Sequence, residues 1–408
     1  MIHVHGLDAE LLVPDEWREV SAEIGRRWEH PSGLALVAKF HDGDRARIEV
    51  SVLPADTVAM APAPRAKVTS EHHLIGWLGG ASAEITAPTA EGPVFAQQRR
   101  GFAVGSLESM SLFLEPLVVA PGHPQTSVWV VEQLAGDMFQ LPPEPDWLPA
   151  RRHVPYGDEL TLRLPDAVVT GVDAVAHDDR HELVGEPGLH TVEVGDMVGI
   201  SRLEVGWHRD WDELVEGARS GAPDDLWCYL TTLTREPDVD ELALRLARAL
   251  ETPTLWAALA AAHTVDMGLT SHDDALTAAG AVLLTADVAT VVALVSRGLA
   301  TVDSLVGVKL GQVAYDGLLQ FGLGRVMSDY PDGAERHLVP VWLWLAGMGE
   351  SEAAARIGGM VGLAQARALC RASDTLDAEA VAWIDAKPVA KNALQPARDL
   401  HRQRNFRQ

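Results

Sequence analysis

Val198-Gly-Ile-Ser-Arg-Leu-Glu-Val205 runs directly into Gly206-Trp-His-Arg-Asp-Trp-Asp-Glu-Leu-Val-Glu-Gly217, and across that junction the apolar period changes from two to about 3.6. Alternation at period two puts every second side chain on one sheet face, whereas period 3.6 draws an apolar stripe along a helix. The chain therefore reads as strands before Trp207 and helices after it. Trp207 and Trp211 stand four apart, the spacing of two neighbours on one helical face. The pair is expected either to pack the halves together or to offer an exposed docking surface.

Toward the N-terminus, short apolar segments at 9–13, 34–40, 47–53, 112–119, 127–133, 159–164, 190–194 and 198–205 read as strands. In Arg47-Ile-Glu-Val-Ser-Val-Leu53 the alternation places Ile48, Val50 and Val52 on one face. Breakers such as Asp42-Gly43-Asp44 and Gly185-Glu-Pro-Gly188 separate them at antiparallel spacing. A helix is expected over 69–78. Leu141-Pro-Pro-Glu-Pro-Asp-Trp-Leu-Pro149 carries four prolines, which block both helix and central strand, and reads as a linker.

Toward the C-terminus, helix starts are expected where a side chain can accept from free first-turn N–H groups: Asp238, Thr252 before Pro253, Ser271 with Asp274, Thr285 with Asp287, Thr301 with Asp303, and Ser351. About six to eight helices with short connections imply antiparallel packing. Gly307, Gly311, Gly317, Gly322 and Gly324 lie among apolar residues in 306–326 and suggest close helix packing at the centre of the helical core. The expected class is α+β: a β-rich N-terminal half, of one or two small antiparallel α+β subdomains, followed by an all-α helical C-terminal domain. The corresponding boundaries are 1–140, linker 141–149, 150–206, 207–386 and a basic tail 387–408.

Composition narrows the function. With 408 residues the chain is long enough for two or three cores of roughly 150 residues each. Acidic residues outnumber basic ones 58 to 33, so the net charge of −25 repels nucleic acid and anionic lipid. Charge of this kind serves solubility in a GC-rich bacterial proteome or attracts a basic partner. The opening Met-Ile-His-Val-His-Gly lacks a basic stretch leading into an apolar one, and no apolar run approaches the ~20 residues a bilayer needs. A soluble, cytoplasmic protein is expected. Two cysteines, Cys228 and Cys370, cannot supply a disulfide framework or a four-ligand zinc site, and read as buried thiols. The tail carries Lys387, Lys391, Arg398, Arg402, Arg404 and Arg407 against Asp399 alone. Such a tail folds back on the acidic body, frays, or engages an acidic partner.

No cofactor motif and no nucleophile elbow occurs, and no catalytic residue is assigned. The densest set of metal-ligating side chains is His177-Asp-Asp-Arg-His181-Glu182, where two histidines four apart can share a metal if the segment is helical. His3-Val-His5 would place two imidazoles on one strand face, and His72-His73, His263 with Asp266, and His272 with Asp273 are further imidazole neighbours. Each of these also reads as a structural or surface group.

Ala9-Glu-Leu-Leu-Val-Pro-Asp-Glu-Trp-Arg-Glu-Val20, followed by strands at 34–40 and 47–53, resembles the opening of PsbP-like domains of the LpqN type over residues 9–60. The resemblance implies a small α+β domain for binding other proteins, with no catalytic residue to carry over. The expected function is a non-enzymatic protein-interaction component, namely an adaptor, chaperone or accessory subunit of a bacterial assembly. Its interaction residues would be Trp207, Trp211, Arg402, Arg404 and Arg407. The alternatives are a metal-dependent hydrolase using His177, His181 and Glu182, and a small-molecule sensor in the helical half.

Overall fold

A computed structural model describes residues 1–72, 74–87, 89–135, 145–197, 199–234, 236–283, 285–300, 339, 342–343, 351–375 and 378–384. The first 133 residues form a sandwich of two sheets. One has five strands in the order β1 (Ile2–Val4), β2 (Leu7–Leu12), β8 (Arg65–Ser70), β13 (Ser109–Ser111), β12 (Val104–Ser106). The other has eight: β3 (Arg18–Val20), β4 (Arg26–Glu29), β5 (Ala35–His41), β6 (Arg45–Leu53), β15 (Gln125–Gln133), β11 (Val94–Arg100), β10 (Ala83–Ala87), β9 (Ile75–Leu78). A ribbon of β7 (Ala59–Ala61) and β14 (Leu117–Val119) stands beside them.

Alternation decides the register. Long strands β6 and β15 pair antiparallel, Ile48 opposite Trp129 and Val50 opposite Ser127, and send Val50, Val52, Trp129 and Val131 to the inner face. There they meet Val4, Leu7, Val68 and Met110 of the five-stranded sheet. Burial of each such aliphatic side chain contributes about 1.5–3 kcal/mol. A cavity of about 80 Å³ remains between the sheets, lined by Val50, Val68, Ile85, Met110 and Trp129 among others.

The second sheet assembly is smaller. Its four-stranded sheet has the order β16 (His153–Pro155), β22 (Ile200–His208), β21 (Gly188–Gly195), β18 (Val168–Thr170), and β16 runs parallel to β22. A three-stranded sheet of β17 (Leu160–Leu162), β20 (His181–Val184) and β19 (Asp173–Ala176) covers it. Leu162, Leu183, Val192, Val205 and Trp207 fill the space between. Trp147 and Leu148, from the segment read as linker, are buried in the same core, and 141–144 lie outside the described residues.

Helices follow: α1 (Trp211–Gly221), α2 (Asp224–Thr231), α3 (Val239–Ala249), α4 (Leu255–Thr264), α5 (His272–Leu283), α6 (Val288–Ser296), α7 (Ser351–Thr375) and α8 (Ala378–Ile384). Caps set their starts. Asp238 accepts from the Glu241 N–H and Asp287 from the Thr290 N–H, while Ser271 and Asp274 cap one another's backbone. At α4 the cap is Thr254, not Thr252, so Pro253 lies before the helix. Leu230, Leu242, Leu259, Val292 and Trp383 centre their common core.

The expected fold class is corrected in three respects. Among the described residues strand outweighs helix and lies in five sheets, so they are β-rich rather than evenly divided. Among the described residues no helix precedes Trp211, so the first half holds no α+β subdomain; the helix expected over 69–78 is strand β8 and strand β9, because Ile75 to Leu78 pair with β10. Nor do the helices form a self-contained all-α domain. Helix α7 packs on α8 and the helical core through Val361, Ala364, Ala368 and Ala372 and at the same time across β16, β21 and β22, giving that sheet its second cover. The glycine-rich run 306–326, the start at Thr301 and Asp303, and the basic tail lie outside the described residues.

Candidate interaction site

The two sheet assemblies join through backbone and side-chain contacts. Ala81 N–H donates to Arg202 O at 2.8 Å, and Gly101 N–H to Ser201 Oγ at 3.3 Å. Gly199 lies so close to the sandwich that a Cβ there would sit 2.7 Å from Thr126 N, which is why that position has no side chain. Arg100 reaches across to pair with Asp196 and lies 5.0 Å from the centre of the Trp147 ring, whose Nε1–H donates to Arg99 O. The joint is therefore fixed on both sides of Asp196.

Above this joint is a groove of about 410 Å³ between the β14 ribbon and strand β18. Its walls include Val118, Val168 and Met197, whose exposures of 38%, 70% and 83% are unusual for apolar side chains of that size. Met60, opposite Val118 in the ribbon and 57% exposed, extends the apolar strip. The ionisable residues at its lining are His123, Asp166, Glu193 and Asp196, so the rim is acidic.

Below and behind the sheet, α7 meets β16 and β22 through a buried charge cluster. The Arg367 guanidinium donates from Nε to Glu204 Oε1 at 2.7 Å and from Nη2 to Oε2 at 2.9 Å, a two-pronged pairing. His153 Nε2 lies 3.3 Å from the same carboxylate, and Arg152 is fully buried beside it in sequence. Burial raises the pKa of Glu204, but hydrogen bonds from His153 and Arg367 outweigh it and hold the carboxyl below its ordinary value. Burial keeps His153 below its ordinary value, against the pull of Glu204. Arg367 and His153 are almost wholly enclosed by protein and Glu204 largely so, and the cluster clasps helix to sheet. Cys370, on the same helix, lies where a Cβ at Gly206 would come within 2.8 Å of its sulfur.

The residues singled out in sequence fall as follows. His177 and His181 are not on a helix: they flank the turn between β19 and β20, and His181 begins β20. Neighbouring side chains on a strand point to opposite faces, so His181 is buried while Glu182 is half-buried on the other side. Glu182 is held by Arg180 and by His177, whose Nε2 lies 2.9 Å away; the Arg180 bond chiefly lowers its pKa. Among the described residues no group of three His, Cys, Asp or Glu can hold a metal. His3 accompanies Asp8 at 2.8 Å, while His5 sits in the turn after β1 with φ of 49°, so the two do not share a strand face. His263 stands edge-on to Tyr229.

Trp207 and Trp211 do not share a helix. Trp207 lies in β22, one residue before its end, is 0% exposed and donates to Asp158 O; Trp211 opens α1 and donates to Leu230 O. Trp207 is thus core and unavailable for docking. Arg402, Arg404 and Arg407 lie outside the described residues. The sequence reading passed over Val168 and Met197, although Val168-Val169-Thr170 is a β-branched run and Met197 stands between Gly195 and Gly199. In the helical part, a cleft of about 860 Å³ lies where α2, α4 and α6 begin, lined by Asp225, Arg248, Trp256 and Asp287 among others. Among the described residues no helix is long and apolar enough to cross a membrane.

No family model matches the chain, and no curated protein matches it. Among solved structures, a polysaccharide lyase aligns over 93% of this chain and 73% of its own, at 11% identity and a TM-score of 0.35. A likeness at that level carries neither fold nor function.

Proposed function

We propose that the chain is a non-enzymatic interaction component, an adaptor, chaperone or accessory subunit of a bacterial assembly, and that it docks its partner at the groove between the two sheet assemblies. One observation carries this reading: Val118, Val168 and Met197 expose apolar surface along one groove with an acidic rim, and Met60, paired with Val118 in the ribbon, is exposed as well. Apolar surface grouped in this way marks interaction sites more often than scattered exposed residues do. Rigid walls also reduce the ordering cost of association. The test is affinity capture from the native cell with wild-type chain and with Met197→Asp and Val168→Asp as baits. A partner held by wild type and lost by both variants supports the reading. The same captured set from all three baits, or a wild-type chain that remains an unpartnered monomer, rejects it.

A second reading, small-molecule binding in the helical part, is favoured by the cleft beneath Trp256, which combines an aromatic face with Arg248 and carboxylates. A thermal-shift screen against charged and polyol compounds tests it, with Trp256→Ala required to abolish any shift.

A further inference from the structure

Strand β18 ends the four-stranded sheet, and among the described residues it pairs with β21 alone, Val168 opposite Gly195 and Thr170 opposite Glu193. The other edge of β18 therefore has no ladder partner among the described residues, and the strand borders the groove through Val168 and Thr170, which line it. Proteins usually blunt such an edge with lysine, proline or a bulge. Here the strand itself is Val-Val-Thr with regular register, and its first side chain is among the most exposed apolar groups of the chain.

We infer that β18 receives an extended peptide segment of alternating apolar and basic residues, added as a fifth strand, with its apolar side chains lying against Val118 and Met197. This rests on the docking reading above and names the partner chemistry at the same groove. Backbone pairing supplies attraction without regard to sequence, and the period of two in an extended chain turns alternate side chains toward the apolar wall and the rim. Charge selects the other set. Glu193 is paired with Arg202 and Asp196 with Arg100, whereas Asp166 is exposed and, among the described residues, has no ion partner. A basic side chain beside Asp166 also gains from the net charge of −25, and the same charge opposes a second copy of this chain as the occupant.

Fluorescence anisotropy with the full-length chain tests the inference, using a labelled peptide that alternates valine and lysine. Three comparison probes isolate its parts: the same peptide N-methylated at alternate backbone nitrogens, the peptide with glutamate for lysine, and the parent peptide against Val168→Asp and Asp166→Lys. The parent is expected to bind, to weaken as salt is raised, and to lose about tenfold or more in affinity on N-methylation, since two or three backbone hydrogen bonds are removed. Binding that survives N-methylation unchanged overturns strand addition. Equal binding of the glutamate peptide overturns the charge assignment. A chain that self-associates through this edge, losing its dimer in Val168→Asp, replaces the peptide with a second copy and overturns the inference. If the parent peptide fails to bind while Met197→Asp still loses a cellular partner, the strand-addition inference falls and the docking reading stands; if Met197→Asp keeps every partner, the docking reading itself falls.

Discussion

Replacing Arg367 by methionine removes the guanidinium and keeps much of the buried stem. Arg367 is 2% exposed and Glu204 20% exposed at the side chain, so the pair is largely but not fully withdrawn from water. Two charge-assisted hydrogen bonds disappear, each contributing about 1.5–3 kcal/mol, and Glu204 keeps His153 as its side-chain partner among the described residues. Residual access to water at Glu204 offsets part of that sum, which places the loss near 3 kcal/mol, the lower end of what breaking a buried pair costs. The loss is local to the α7 contact with β22. Hydrogen exchange of the α7 amides is the proper assay, because a chain with three cores need not unfold in one step. About 3 kcal/mol corresponds to exchange faster by roughly a hundredfold in α7, with little change in β5, β6 or β15. Adding Glu204→Leu should restore much of the protection, since an apolar pair of similar volume replaces the broken ion pair. Acceleration below about fivefold in Arg367→Met, or a double variant no better protected than the single one, refutes the clasp.

The same contact should loosen in acid. Both His153 and Glu204 have folded pKa values below their ordinary ones, so the unfolded state binds more protons, and their contribution is present above about 6.5 for the histidine and about 4.5 for the carboxyl, then lost as pH falls. Protection of α7 measured against pH should therefore fall first below about 6.5 and again below about 4.5, and Glu204→Gln should abolish the second decline. Gly206→Ala places a methyl group 2.8 Å from the Cys370 sulfur and 2.9 Å from Gly188 O, and is expected to cost about 1–3 kcal/mol by overpacking. A thiol reagent reads it out: burial pushes both cysteines up, Cys228 to about 12, so the wild-type protein should react slowly and the variant should react at Cys370, whereas equal rates refute the close approach. Asp287→Ala leaves the Thr290 N–H without its cap and should destabilise α6 by about 1 kcal/mol in thermal melting, while Asp287→Ser should retain most of that.

What the sequence shows and hides follows from range. Period two in Arg47 to Leu53 and first-turn acceptors at Asp238 and Asp287 are local, so they are readable from neighbours alone. The segment 69–78, expected as a helix, misleads because the sequence neighbours of Ile75 to Leu78 do not include β10, with which they pair. The Trp207 and Trp211 spacing misleads for a related reason: the strand continues through His208, and a period of four has no meaning across a strand-to-helix junction. His177 and His181 look like helical neighbours until the turn between β19 and β20 sends His181 inward. The clasp of Arg367 with Glu204 leaves no local signal at all, because an arginine in a helix and a glutamate in a strand each look solvent-facing when read singly. The groove is hidden in the same way, since Val118 and Met197 become neighbours only when the two assemblies join.

Glu204 and Arg367 stand 163 positions apart, and that distance has a consequence for the chain as it is made. The strands β16, β18, β21 and β22 leave the ribosome before α7, so their sheet is uncovered on the side that α7 later seals. During synthesis at about 5–20 residues per second, that face and its carboxylate wait on the order of ten to thirty seconds for the helix to arrive. A nascent chain paused in that interval presents an unsealed sheet to chaperones and to other nascent chains, and arrival of the Arg367 turn marks the moment at which this exposure ends.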